Sequence, residues 1–149
     1  MPNSLKIVDF RIFSEVSSEK VSYKASETII SPDIDNKSMY IIEKGSASIF
    51  VNGHFVAEIS QGSIFGELGL VDPQPHTATI ISLTEITLYK LSESQFLRLV
   101  AIHPIFALRV MRVIAQRVRA MNHLLTKQNN LLDFSTVPEL HQPTGGLTP

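Results

Sequence analysis

The 149-residue chain contains no cysteine. That single absence removes disulfides, thiolate zinc sites, iron–sulfur centres and a cysteine nucleophile, and it is compatible with a reducing compartment. No stretch approaches the roughly 18 uninterrupted apolar residues of a membrane-spanning helix. The N-terminal Met1-Pro2-Asn3-Ser4-Leu5-Lys6 has neither the basic start nor the apolar run of a secretory signal. A cytoplasmic, soluble protein without a membrane partner is the expectation. The formal net charge of −1 gives no overall pull toward nucleic acid or anionic lipid.

Other absences are local. Ile105 to Val137 holds neither glycine nor proline and can therefore run as one long helix. Pro104 precedes it, where a missing N–H costs least. From Pro104 to Leu132 no acidic residue opposes Arg109, Arg112, Arg117, Arg119 and Lys127. Those cations are either a solvated face or a docking surface for an acidic partner. Met111, Ile114, Val118, Met121 and Leu125 recur at spacings of three and four, an apolar seam of coiled-coil type. Val110, Val113, Leu124 and Leu132 widen it, so part of the helix is expected to pack on the body. A homodimer formed through the 105–132 helix follows as the expectation, with a protein partner as the other possibility.

Chemistry-bearing patterns are scarce as well. His54, His76, His103, His123 and His141 share no metal-ligand spacing and include no His-x-His element. A metal-dependent β-roll enzyme is thus a remote alternative. The serines show no nucleophile elbow. No enzymatic activity, catalytic residue, metal site or cofactor is expected.

What remains is punctuated by short strands. Val21–Tyr23, Thr28–Ile30, Ser38–Glu43, Ala47–Val51, His54–Ile59, Thr77–Ser82 and Glu85–Leu91 are rich in β-branched residues or alternate in polarity. Asn52-Gly53 between two of them predicts a hairpin, because this pair tolerates both positive φ angles of a type I′ turn. Several short strands closed by tight turns imply a sandwich or roll rather than a parallel sheet. Ser92 followed by Gln95 predicts a capping box opening a short helix, Glu93–Ile102. The organisation expected is a lead-in over 1–20, one domain over 21–132 (roll 21–91, helices 93–132) and a disordered tail over 133–149.

The most informative run is Gly62-Ser63-Ile64-Phe65-Gly66-Glu67-Leu68-Gly69-Leu70-Val71-Asp72-Pro73-Gln74-Pro75-His76-Thr77-Ala78-Thr79-Ile80. A glycine ahead of one helical turn, Glu67–Val71, exposes backbone N–H groups that suit an anion. A carboxylate at Glu67 accepts hydrogen bonds from a diol such as a ribose. Alternatively, Glu67 is simply an acidic residue favoured at a helix start. Thr77 is a site residue or only the start of a strand.

This run closely resembles the phosphate-binding cassette of the cyclic-nucleotide-binding family, with Phe65, Gly66, Glu67, Leu68, Leu70, Pro75, Ala78, Thr79 and Ile80 in register. Tyr40-Ile41-Ile42-Glu43-Lys44-Gly45, the turn glycines Gly53 and Gly62, and Phe96 with Pro104 extend the resemblance over about Val21 to Leu125. It implies a fold that is mainly β with C-terminal helices: a double-stranded β-helix or jelly roll followed by a long dimerisation-type helix. It also implies a regulatory module binding cAMP, cGMP or a related phosphorylated ligand. Glu67 would hold the ribose 2′-hydroxyl, and the backbone near Gly66 and Leu68, with Thr77, would meet the cyclic phosphate. Phe65, Gly66, Glu67, Leu68, His76, Thr77 and Ala78 form the expected ligand-binding set. The family's regulators carry a helix-turn-helix after the long helix, for which too few residues remain here, so DNA binding is not expected.

The departure falls at His76, where the family pairs the phosphate with arginine. Histidine offers at most two donors and is mostly neutral near pH 7. Losing a desolvated arginine–phosphate pair costs about 2–5 kcal/mol. His76 is therefore a weakened phosphate ligand, a pH-sensitive contact or a surface loop residue. Ser26-Glu27 replaces a Gly-Glu pair at an earlier turn. The alternative function is a degenerate, ligand-independent dimeric interaction scaffold.

Overall fold

The computed structural model describes residues 10–34, 37–67, 70 and 78–132, with side chains in the last helix described at 104–120, 122, 123 and 126. A 3₁₀ helix, Phe10–Val16, precedes β1 (Glu19–Tyr23), β2 (Thr28–Ile30), β3 (Met39–Lys44), β4 (Ala47–Val51), β5 (His54–Ile59), β6 (Ile64–Phe65), β7 (Ala78–Ser82) and β8 (Ile86–Leu91). Two helices close the described chain, α1 (Glu93–Ile102) and α2 (Pro104–Leu132). The strands form two four-stranded antiparallel sheets, ordered β1-β8-β3-β6 and β2-β7-β4-β5. The architecture is the expected β-roll with C-terminal helices. The expected tail, 133–149, lies outside the described residues.

The sequence explains why the first sheet sits at the centre. Met39-Tyr40-Ile41-Ile42 is a continuous apolar run, as strands covered on both faces require. Successive side chains point to opposite faces, so Tyr40 and Ile42 enter one core while Met39 and Ile41 enter another. Strand β8 divides likewise, with Ile86 and Leu88 on the inner side and Tyr89 and Leu91 on the outer. The inner core lies between the sheets and adds Ile29, Ile30, Ala47, Ile59, Phe65 and Ile80. The outer core receives Phe13 and Val16 of the 3₁₀ helix, Leu99 of α1, and Phe106, Val110 and Val113 of α2.

Turn chemistry sets the register. Asn52 and Gly53 both take positive φ, 52° and 79°, and the hairpin pairs Val51 with His54 as the Asn-Gly dipeptide predicts. Ser26 holds φ 67°, a conformation that glycine adopts without strain. Its turn is held by Ser82, whose hydroxyl accepts from the Glu27 N–H at 2.9 Å and donates to the Lys24 carbonyl. Gly45 is more constrained: φ is 100°, and a Cβ there would overlap the Glu85 carbonyl oxygen and lie 2.9 Å from Ile86 Cα.

The helices begin where their caps say they should. Ser92 Oγ accepts from the Gln95 N–H at 3.3 Å, and Gln95 Oε1 accepts from the Ser92 N–H at 2.8 Å, completing the capping box. Side chains of α1 also reach back to the end of the 3₁₀ helix: Gln95 Nε2 donates to the Ser17 carbonyl and Arg98 to that of Val16, each at 2.9 Å. His103, between the helices, meets Glu15 at 3.0 Å. Two compact units divide the chain, Met1–Ile114 and Ala115–Pro149. Among the described residues no helix is long and apolar enough to cross a membrane.

Gly45→Ala is expected to lower unfolding free energy by at least about 2 kcal/mol, because it combines left-handed strain with backbone overlap. Ser82→Ala, which strands the Glu27 N–H and the Lys24 carbonyl, is expected to cost about 1–3 kcal/mol. Urea denaturation of each variant checks both values.

Candidate functional site

Strand β6 is only two residues long, and the residues just before it are fixed to β3. The Ile42 N–H donates to the Ser63 carbonyl at 2.9 Å, and the Gly62 N–H donates to the Ile42 carbonyl at 2.8 Å. Phe65 pairs with Tyr40 across the β3–β6 ladder, and their rings stack at 5.0 Å with an interplanar angle of 14°. Both side chains belong to the inner core. The chain therefore leaves the sheet from a fixed point and direction.

Gly66 follows at φ 78°, in the left-handed region that favours glycine. Glu67 comes next and is only 6% exposed, one of four buried polar or charged residues among those described. A carboxylate out of water needs hydrogen-bonding partners or it is costly. The Leu70 N–H donates to the Glu67 carbonyl at 3.1 Å, so Glu67 opens a turn, and Leu70 is helical. The expected helical turn is thus described only at its start and at Leu70, and Val71 lies outside the described residues. The half-buried Leu70 packs against the outer core, which includes Leu99, Phe106, Val110 and Val113. The turn accordingly has one anchor in each core, Phe65 inside and Leu70 outside.

Of the expected ligand-binding residues, Phe65, Gly66 and Glu67 are contiguous at the exit of β6. Ala78, half-buried, opens β7 in the other sheet and pairs with Val51. Leu68, His76 and Thr77 lie outside the described residues. Two supports of the turn, Tyr40 and Leu70, were absent from the expected set. Tyr40 sits in an apolar run that reads as ordinary core, and only the pairing of β3 with β6 gives it a role here. Among the described residues no group of three or more His, Asp or Glu could hold a metal ion.

The same architecture occurs in the Thermus thermophilus catabolite activator protein, at a TM-score of 0.71, 18% identity, and coverage of 87% of this chain and 63% of that one. A structure of Sp-2Cl-cAMPS bound to PKAR CBD2 aligns at a TM-score of 0.64 with 25% identity, covering 83% of this chain and 84% of the other. By sequence, residues 20–103 match the model of the cyclic nucleotide-binding domain. The chain belongs to the cyclic nucleotide-binding domain family. A curated relative, the cAMP-dependent protein kinase regulatory subunit of Aspergillus niger, is 35% identical over 83 residues, 54% of this chain. The match spans only 20% of that subunit's length. As a cyclic nucleotide-binding domain, the chain has a fold and a family that support a regulatory, nucleotide-binding module.

All three tyrosines of this domain resist ionisation. Burial pushes Tyr40 up to about 12, and also raises Tyr23 and Tyr89. Tyr89 is raised further by donating to Glu43 Oε2 at 2.8 Å. A raised folded-state value means that this contribution to stability is complete below the unfolded value near 10 and is lost as pH climbs toward 12. Absorbance at 295 nm is therefore expected to show less tyrosinate at pH 10 in the native protein than in the urea-unfolded chain. Equal tyrosinate in the two states at that pH would contradict this.

Proposed function

We propose that the turn after β6 binds a cyclic nucleotide, cAMP or cGMP, or a related phosphorylated ligand, and that the chain is a non-enzymatic regulatory module. Glu67 accepts the ribose 2′-hydroxyl, Phe65 and Ala78 flank the ligand, and the backbone around Gly66 and Leu68, with Thr77, meets the cyclic phosphate. His76 stands where arginine would neutralise that phosphate. The observation carrying this reading is the buried Glu67 carboxylate, placed directly after a left-handed glycine in a chain of this family. The relatives named for cAMP support the ligand class. A route from ligand to helix is supported by Leu70, which links the turn to the outer core that also holds Phe106 and Val110. Occupancy would favour one arrangement of the turn and of the helices packed against it. The output is pairing through α2, with a second copy or with another protein.

The histidine at position 76 also favours a second reading, a roll that no longer binds ligand and serves as an interaction scaffold. Calorimetric titration with cAMP and cGMP distinguishes the two. Weak binding by the native chain is expected, strengthened at least about tenfold by His76→Arg through a charge-assisted phosphate pair. Glu67→Gln is expected to weaken binding about tenfold or more by removing the charged acceptor. Absence of heat at millimolar ligand for both the native chain and His76→Arg would reject nucleotide binding and leave the scaffold.

A further inference from the structure

The residues that α2 leaves exposed differ from the seam that spacing alone picks out. In the first unit Phe106, Val110 and Val113 are buried and Ile114 is half-buried against the outer core, whereas Leu108 and Met111 are 39% and 57% exposed. In the second unit Ala115, Asn122 and Val118 are exposed, Val118 at 53%. In sequence, positions 108, 111, 115, 118 and 122 follow spacings of three, four, three and four, a heptad seam of their own. Asn122 is the type of polar seam residue that fixes register.

Charge beside this seam is of one sign. Arg112 follows Met111 and Arg119 follows Val118, seven residues apart, and both are exposed. The positions flanking the other side of the seam are Ile114 and Met121, and no acid occurs anywhere from Pro104 to Leu132. Solvent-facing helices ordinarily intersperse acids four residues from bases, which pairs their charges within the helix. Here such pairing is impossible. A second copy of α2 brings no carboxylate either: aligned parallel it sets Arg112 against Ala107 and Arg119 against Ile114, and antiparallel it sets arginine against arginine. Flanking charges of this kind select partners by complementarity and penalise the uncomplementary pair.

We propose that the exposed face of α2 docks an amphipathic helix of another protein, one with an apolar seam flanked by aspartate or glutamate, in preference to a second copy of this chain. The test uses the full chain and two synthetic helical peptides with identical leucine seams, one flanked by glutamate and one by lysine. Fluorescence anisotropy at about 50 mM salt is expected to give at least roughly tenfold tighter binding of the glutamate peptide, a gap that narrows at 500 mM salt as screening rises. Arg112→Glu with Arg119→Glu is expected to invert the preference. Arg112→Gln with Arg119→Gln abolishes the preference without reversing charge, and circular dichroism verifies the helix in both. Equal affinity for the two peptides overturns the proposal. So does a micromolar dimer of the native chain that excludes both peptides, or duplex DNA that displaces the glutamate peptide at matched charge.

Discussion

Everything in this domain depends on one sheet being covered twice. Strands β3 and β8 send alternate side chains into two separate cores, so neither strand can slip by one residue without exchanging the contents of both. Tyr40 and Met39 are neighbours in sequence yet answer to different packing problems. The turn after β6 inherits this arrangement. Its entry is fixed by the Tyr40–Phe65 stack on the inner side, and its far end, Leu70, is fixed by helix residues on the outer side. The turn is thereby tied to both cores.

Much of this was legible from residue types alone. The Asn52-Gly53 hairpin, the Ser92–Gln95 capping box and the start of the long helix at Pro104 each rest on local chemistry, and local chemistry survives folding unchanged. Strands β2, β4 and β5 coincide with their expected bounds, while β1 starts two residues earlier than expected and β3 and β8 one residue later. Strand β6 was missed because two residues cannot display a period of two; only its partner on β3 defines it. The 3₁₀ helix falls within the expected lead-in, where a weak apolar pattern fits a short helix or an irregular segment equally. Its value lies in Phe13 and Val16, which are fully buried by contacts with elements some 75 to 100 residues away. Nor could spacing separate the two apolar faces of α2. Met111 and Val113 look alike in sequence, and only the presence of a sheet beneath one of them tells them apart.

At the site, the legible part was the acid and the illegible part its surroundings. The run around Phe65-Gly66-Glu67 resembled a nucleotide cradle from the outset, and the family match agrees with that resemblance. Sequence could not reveal that Glu67 is nearly withdrawn from water, because burial depends on what the sheets and helices bring over it.

The capture of Phe13 and Val16 by the outer core separates two notions of a domain. The stretch recognisable by ancestry, residues 20–103, stops short of these two side chains at one end and of Phe106, Val110 and Val113 at the other. Trimming the chain to its homologous portion would leave the outer side of β3 and β8 covered by α1 alone among the helices, with the contributions of Phe13, Val16, Phe106, Val110 and Val113 lost to Met39, Ile41 and Leu91. The stretch that the family match covers is thus smaller than the set of residues that share the outer core, and both segments flanking it are part of that core.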